Sequence, residues 1–261
     1  MQFTPLSAGE ISDALQPQCI GSCVVYSQVM TSTMDVAQSQ IAAGAQHGTI
    51  VICEQQGQGQ GRLSRQWVSP LGGVYISIIL YPPHQIALQL TALAALAVSD
   101  AIFQICKLET CFKWPNDVLL GVKKVSGIIA RRGQDGHGRT WVVVGIGINA
   151  NMQMSQQPAE IADVAASLSQ AVGREVPRNQ LIISLLQSCE RRYNALERGE
   201  MLWQEWQHKL VTLGKSVVVK SRTDVYEGLA EAINNEGSLL LRKSNGETIA
   251  IPAGDVTLRT C

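Results

Sequence analysis

Apolar positions change their period several times along the chain. Residues 6–15 suggest a short helix and 23–26 a strand. Residues 32–43 suggest a second helix, with Ser32 or Thr33 as its N-cap and Asp35 complementing the dipole of its first turn. Residues 49–53 form a β-branched run, after which periodicity vanishes from Gln55 to Pro70, a stretch too polar for core and too long for a simple turn. Strand character returns at 74–81, an Ala/Leu-rich helix spans 85–106, and 118–120, 125–130 and 141–149 read as strands with turns at Gly121 and Gly136. From Gln180, the spacing of Ile182, Leu185, Leu186, Cys189, Tyr193 and Leu196 marks an amphipathic helix, which Trp203, Trp206 and Leu210 continue after Gly199. Beyond Leu213 the pattern switches to short β runs at 216–220, 226–233, 238–242, 248–251 and 256–258. Asn234, Asn235, Gly237, Asn245 and Gly246 punctuate them. This predicts a larger α+β unit over 1–211 and a small all-β barrel over 212–261.

Composition narrows what such a chain does. With 46% hydrophobic and 16% charged residues, the 261-residue chain is not disordered by excess charge. Twenty-one basic residues cancel twenty-one acidic ones, so no global field favours DNA or an anionic membrane. The opening MQFTPLSAGEISDALQ lacks the basic flank and apolar run of a secretory signal, which predicts a cytoplasmic protein. Residues 88–106 are interrupted by Gln89, Thr91, Ser99, Asp100 and Gln104 and read as a buried helix, too polar for a membrane span. Seven cysteines without a CxxC pair read as reduced thiols.

Three segments could carry chemistry. In EQQGQGQGRLSRQW (54–67), Gly57, Gly59 and Gly61 permit close backbone approach while Arg62 and Arg65 supply fixed positive charge for a phosphate or carboxylate. A dinucleotide fingerprint fails here, because Ser64 stands at the last glycine position and no helix follows. In KWPNDVLLGVKKVSGIIA (113–130), Pro115 pushes Trp114 away from helix and places Asn116 and Asp117 in a turn, where they can face a ligand or magnesium. Lys124 then either snorkels to solvent or points into an anion pocket. In VVVGIGINANM (142–152), Gly145 and Gly147 fit a core strand with close packing, ending at Asn149.

Taken together, the Ser-Thr helix start, the Gly/Arg loop, KWPND, KKVSGI and GIGIN resemble the biotin protein ligase family over nearly the whole chain. The helical stretch with Ala166, Ser167 and Leu168 and the terminal AGDVTLR resemble it too. The match begins near residue 6, so the resemblance is to short members without a DNA-binding domain. It implies a mixed β-sheet with flanking helices, related to class II aminoacyl-tRNA synthetase cores, followed by an SH3-like barrel. It also implies activation of biotin by MgATP as biotinyl-5'-AMP and transfer to a lysine of a biotin carboxyl carrier domain. Family members are often dimers through a sheet edge.

The resemblance assigns Ser32, Thr33, Met34, Gln56, Gly59, Gln60, Gly61, Arg62, Lys124 and Gly127 to biotin. It assigns Arg65, Trp67, Asn116, Asp117 and Asn149 to ATP, with Asp117 also toward Mg2+, and makes Lys124 and Arg62 the catalytic pair. The chain departs from the family pattern GRGRxGR at Gln60 and Ser64, has Met34 where Asn is frequent, and has Arg131 where an acidic residue is frequent. These departures predict a working loop with altered affinity or adenylate retention. A lipoate or octanoate ligase of the same fold and a non-catalytic biotin-binding protein are the competing readings.

Overall fold

The computed structural model describes residues 3–15, 19–221 and 223–258; Arg259 of the AGDVTLR run and Cys261 lie outside them. Helix α1 (Ala8–Ala14) precedes strand β1 (Val24–Met30), and α2 (Thr33–Ala42) leads into β2 (Ile50–Gln56), which pairs parallel to β1. Strand β3 (Val74–Leu80) is followed by the long helix α3 (His84–Cys106) and by β4 (Cys111–Lys113), β5 (Asp117–Leu120), β6 (Lys123–Gln134) and β7 (Thr140–Ile148). Among the described residues these strands form one mixed sheet in the order β1-β2-β3-β7-β6-β5-β4. Short helices α4 (Ala159–Ala162) and α5 (Leu168–Val172) lead to α6 (Arg178–Glu197) and α7 (Trp203–His208). A five-stranded antiparallel sheet follows, made of β8 (Ser216–Lys220), β9 (Val225–Ile233), β10 (Leu239–Arg242), β11 (Thr248–Ile251) and β12 (Asp255–Leu258), ordered β11-β10-β9-β8-β12. The expected α+β class is the observed one.

Alternation along the central strands builds two faces. Val74, Ile76, Ile78 and Leu80 of β3 and Val142, Val144, Ile146 and Ile148 of β7 join one core with α3 and α6. Tyr75 and Ile79, with Trp141 and Val143, face the other way and pack under Met34, Ala37 and Ile41 of α2. On that second face the β7 alternation continues as Gly145 and Gly147, so the layer of side chains gives out and leaves a hollow. The C-terminal sheet is not a separate ball: Val217, Val219, Leu239 and Leu241 lie in the same apolar cluster as Phe112, Trp114, Trp206 and Leu210.

Several expectations change. Strand β4 is three residues long, too short for periodicity to reveal, and is defined by its pairing with β5. Asp117 begins β5, leaving Asn116 in the turn. Strand β6 runs to Gln134 because a solvent-facing alternation extends it past its apolar part. Trp203 and Trp206 belong to a separate helix. Ser167 caps α5 through a hydrogen bond from the Gln170 amide, so Ala166 and Ser167 precede that helix. Helix α3 is in fact long and apolar enough by composition to cross a membrane; its polar interruptions do not disqualify it, but most of its apolar stretch is buried within the fold.

Candidate active site

The polar segment after β2 is a hairpin-like excursion. Gln56 bridges to Ser69 and Gln60 to Gln66, while the Gly57 and Gln58 amides donate to the carbonyls of Met30 and Thr31 at 2.9 and 2.7 Å. A turn at Arg62–Ser64 forms its tip, with Leu63 and Ser64 both left-handed at φ 52° and 62°. Gly59 is required by the hairpin itself, since a Cβ there would lie 2.3 Å from the Trp67 carbonyl oxygen. Gly57 would meet nothing within 4 Å. Ser64 holds a backbone region that glycine occupies freely, so Ser64→Gly is expected to raise stability by about 1 kcal/mol, read as a small rise in the denaturation midpoint.

The hairpin roofs a cavity of about 300 Å³. Its floor is the glycine-bare patch of the sheet, on which Trp67 rests: a Cβ at Gly147 would come within 2.5 Å of the Trp67 indole, and one at Gly127 within 2.8 Å. Met34 covers Gly145 in the same way. At one end, the Gln56 carboxamide accepts from the Thr33 amide at 2.8 Å and hydroxyl at 3.1 Å, and donates to Ser69 Oγ at 2.8 Å. Ser77 Oγ donates to Thr33 Oγ1 at 2.8 Å, completing a polar web on otherwise apolar walls.

Opposite stand the charges. A β-bulge sets Lys124 against Leu119 but Ser126 against Val118, so Val125 is the unpaired extra residue. That one-residue slip brings Lys124 and Gly127, three apart in sequence, to the same cavity. Lys124 Nζ pairs with Asp117 Oδ1 at 2.5 Å and lies 5.1 Å from the Trp67 ring centroid. Arg62 donates to Asn116 Oδ1 at 3.2 Å and to the Gly254 carbonyl at 3.3 Å, while Arg65 pairs with Asp255. Burial holds the Arg62 guanidinium below its ordinary pKa; Asp255 and Asp117 oppose that shift and Arg65 reinforces it. The indole Nε1 of Trp67 is buried against the backbone at Gly147 without a hydrogen-bond partner.

Thus Thr33, Met34, Gln56, Gln60, Gly61, Arg62, Arg65, Trp67, Asn116, Asp117, Lys124 and Gly127 all line the cavity. Three expected residues do not. Ser32 is fully buried and spends its hydroxyl capping α2 through the Met34 amide. Gly59 is packed inside the hairpin. Asn149 is buried and donates to the backbone carbonyls of Lys124 and Ala166 at 3.4 and 3.2 Å, which braces the start of β6.

Known proteins share both parts of this architecture. Residues 26–149 match the biotin/lipoate A/B protein ligase family and residues 212–259 match the biotin protein ligase C-terminal domain. The chain is 36% identical over 249 residues to the bifunctional ligase/repressor BirA of Bacillus subtilis, covering 92% of this chain and 76% of that protein. It is 30% identical over 233 residues to the biotin--[acetyl-CoA-carboxylase] ligase of Paracoccus denitrificans, covering 87% of this chain and 97% of that one. The chain belongs to the biotin protein ligase family. Among solved structures, the biotin protein ligase of Aquifex aeolicus in complex with biotin and ATP superimposes with a TM-score of 0.77 at 27% identity, covering 92% of this chain and 100% of that one.

As a biotin protein ligase family member, the chain carries cavity residues that the sequence reading passed over. Asp255, Val256 and Thr257 of the C-terminal sheet line the cavity, as does Lys113. The AGDV run was legible as a family feature, but its place beside the Gly/Arg loop depends on the shared core between the two sheets. Gly145 and Gly147 are close-packing glycines, and what packs on them is the cavity's own Met34 and Trp67.

Proposed function

We propose that the chain activates biotin with ATP as biotinyl-5'-AMP and passes the biotinyl group to a lysine of the carrier domain of a biotin-dependent carboxylase, in the cytoplasm. The observation that carries this reading is the Lys124 ammonium, held at the border between the apolar floor and the cluster of Arg62, Arg65 and Asp117. A short apolar acid with a polar head fits the first region, its head on the Thr33–Gln56 web. An adenylated phosphate fits the second.

In the first step a biotin carboxylate oxygen attacks the α-phosphorus, the bond to the β-phosphate breaks, and pyrophosphate leaves. Lys124 stabilises charge on the oxygens between the two reactants, and the roof holds them in line. In the second step the acceptor amine attacks the acyl carbon, the acyl C–O bond to AMP breaks with its electrons going to AMP, and the amine's surplus proton is lost. Lys124 again faces the departing phosphate.

Mg2+ would be carried by the ATP phosphates and would neutralise their charge. Asp117, with one carboxylate oxygen beyond that held by Lys124, is a hard oxygen donor that fits it, whereas the side-chain oxygen of Asn116 already accepts from Arg62. No group of three or more His, Cys, Asp or Glu side chains suited to a metal occurs among the described residues, which accords with an ion bound through few protein ligands and substrate phosphates. The buried thiols of Cys53 and Cys189, pushed up to about 12 chiefly by burial, are inert packing groups that suit a reducing compartment.

The test is exchange of labelled pyrophosphate into ATP with biotin, lipoate and octanoate run in parallel. Exchange with biotin alone supports the proposal; preferential exchange with lipoate or octanoate replaces the acyl group; binding of biotin without exchange leaves a binding protein. Arg62→Gly, which removes the link from the loop tip to Asn116 and Gly254, is expected to speed release of preformed biotinyl-5'-AMP by about tenfold in a rapid-dilution assay.

A further inference from the structure

We infer that Arg131 is a positioning residue that clamps the cavity's roof onto the sheet, with Gln60 as the coupling element. The inference rests on the adenylation reading above. Gln60 sits in the waist of the hairpin, where it bridges to Gln66. Its carboxamide Nε2 donates to Asp35 Oδ2 at 2.7 Å, and its Oε1 accepts from Arg131 Nη2 at 2.5 Å. Arg131 also donates from Nη1 to Gln38 Oε1 at 3.0 Å and stands 3.7 Å from Asp35 Oδ1. Asp35 and Gln38 lie on α2, while Arg131 lies on β6, in alternation with Gly127 and Ile129 of the cavity floor. One side chain of the roof is therefore held from two elements at once.

The residue types match. A planar amide can donate to a carboxylate and accept from a guanidinium in the same plane. Glutamate at position 60 would set two carboxylates together and leave Asp35 without its donor. Arginine there would meet Arg131. Elsewhere the hairpin's bonds at this level close on itself: the Gly61 amide donates to the Arg65 carbonyl and the Trp67 amide to the Gly59 carbonyl, both at 2.8 Å. The Asp35–Gln60–Arg131 relay ties this waist to the body of the domain by hydrogen bonds, beside the packing of Trp67 on the sheet. Gln60, Arg62 and Trp67 all ride on the roof, so its grip governs how long an acyl-adenylate stays in the cavity.

The decisive experiment compares the full-length chain with Arg131→Met, Gln60→Arg, and the pair Gln60→Arg with Arg131→Glu, in which one arginine would span Asp35 and the new carboxylate. Two readouts are taken: hydrogen exchange of the Gly61 and Trp67 amides without ligand, and release of preformed biotinyl-5'-AMP. Each single variant is expected to quicken both by about three- to tenfold, modest because the relay is partly solvent-screened, and the paired variant to restore both to within about twofold of the parent. Parent-like exchange in the single variants, or a paired variant as open as Gln60→Arg alone, overturns the inference. The exchange arm contains no ligand, so it judges the clamp even if the parent forms no biotinyl-5'-AMP, a result that would overturn the functional reading instead.

Discussion

Replacing Lys124 by alanine is expected to slow biotin-dependent pyrophosphate exchange by about 10²- to 10³-fold, the range for removing one preorganised group from a developing negative charge. The fold should survive. The side chains of Lys124 and Asp117 are both partly exposed, so the carboxylate left behind by the substitution keeps access to water. Unfolding midpoints of variant and parent should therefore nearly coincide, separating lost chemistry from lost structure. Lys124→Arg is a stricter variant, because a fork of planar donors beside Trp67 would not reproduce a compact ammonium in the same space. Exchange at the parental rate in Lys124→Ala would remove this residue from the mechanism.

The largest expected effect on stability lies outside the cavity. Glu54 and Arg178 are both buried and paired at 2.6 Å. Glu54 also accepts from the Leu6 amide at 2.5 Å, and Arg178 donates to the carbonyls of Thr4 and Gly73 at 2.7 and 3.1 Å. The pair thus ties the N-terminal segment, α6 and the approach to β3 to the strand from which the roof springs. Glu54→Ala leaves a buried guanidinium without its counter-charge and is expected to cost about 3–5 kcal/mol in denaturant unfolding. Glu54→Leu combined with Arg178→Met, which removes both charges, should recover most of that loss. If the double variant is no more stable than Glu54→Ala, the unpaired charge is not the cause.

How far the sequence could be read differs by feature. The apolar spacing of α6 and the β-branched runs of the C-terminal sheet were legible because burial on one face imposes a period. Glu54 was also within reach: it continues the alternation of Ile50 and Ile52 toward the core, an acid on a core-facing register that requires a buried cation, yet it reads at first as the start of a polar loop. The face on which Lys124 emerges was not legible, since it depends on the bulge at Val125, which arises only when β6 pairs with β5. The hairpin form of residues 56–69 was hidden for the same reason, its two bridges being set by β1 and the loop's own closure. Asn149 and Ser32 carry family motif positions, but their side-chain atoms are committed to backbone groups that a linear pattern does not display.

The pairing of Lys124 with Asp117 and of Arg65 with Asp255 has a consequence for how the cavity meets dissolved ions. A bare cationic pocket attracts dissolved anions, and salt screens its pull on an incoming phosphate, so affinity falls as salt rises. Here the counter-anions are tethered to the chain itself. On the adenylation reading, an arriving nucleotide would displace aspartates instead of mobile anions, and the number of free ions released would be smaller than the number of cations it touched. Nucleotide capture at such a site would be buffered against changes in ionic strength, with much of the competition for the cations kept inside the protein.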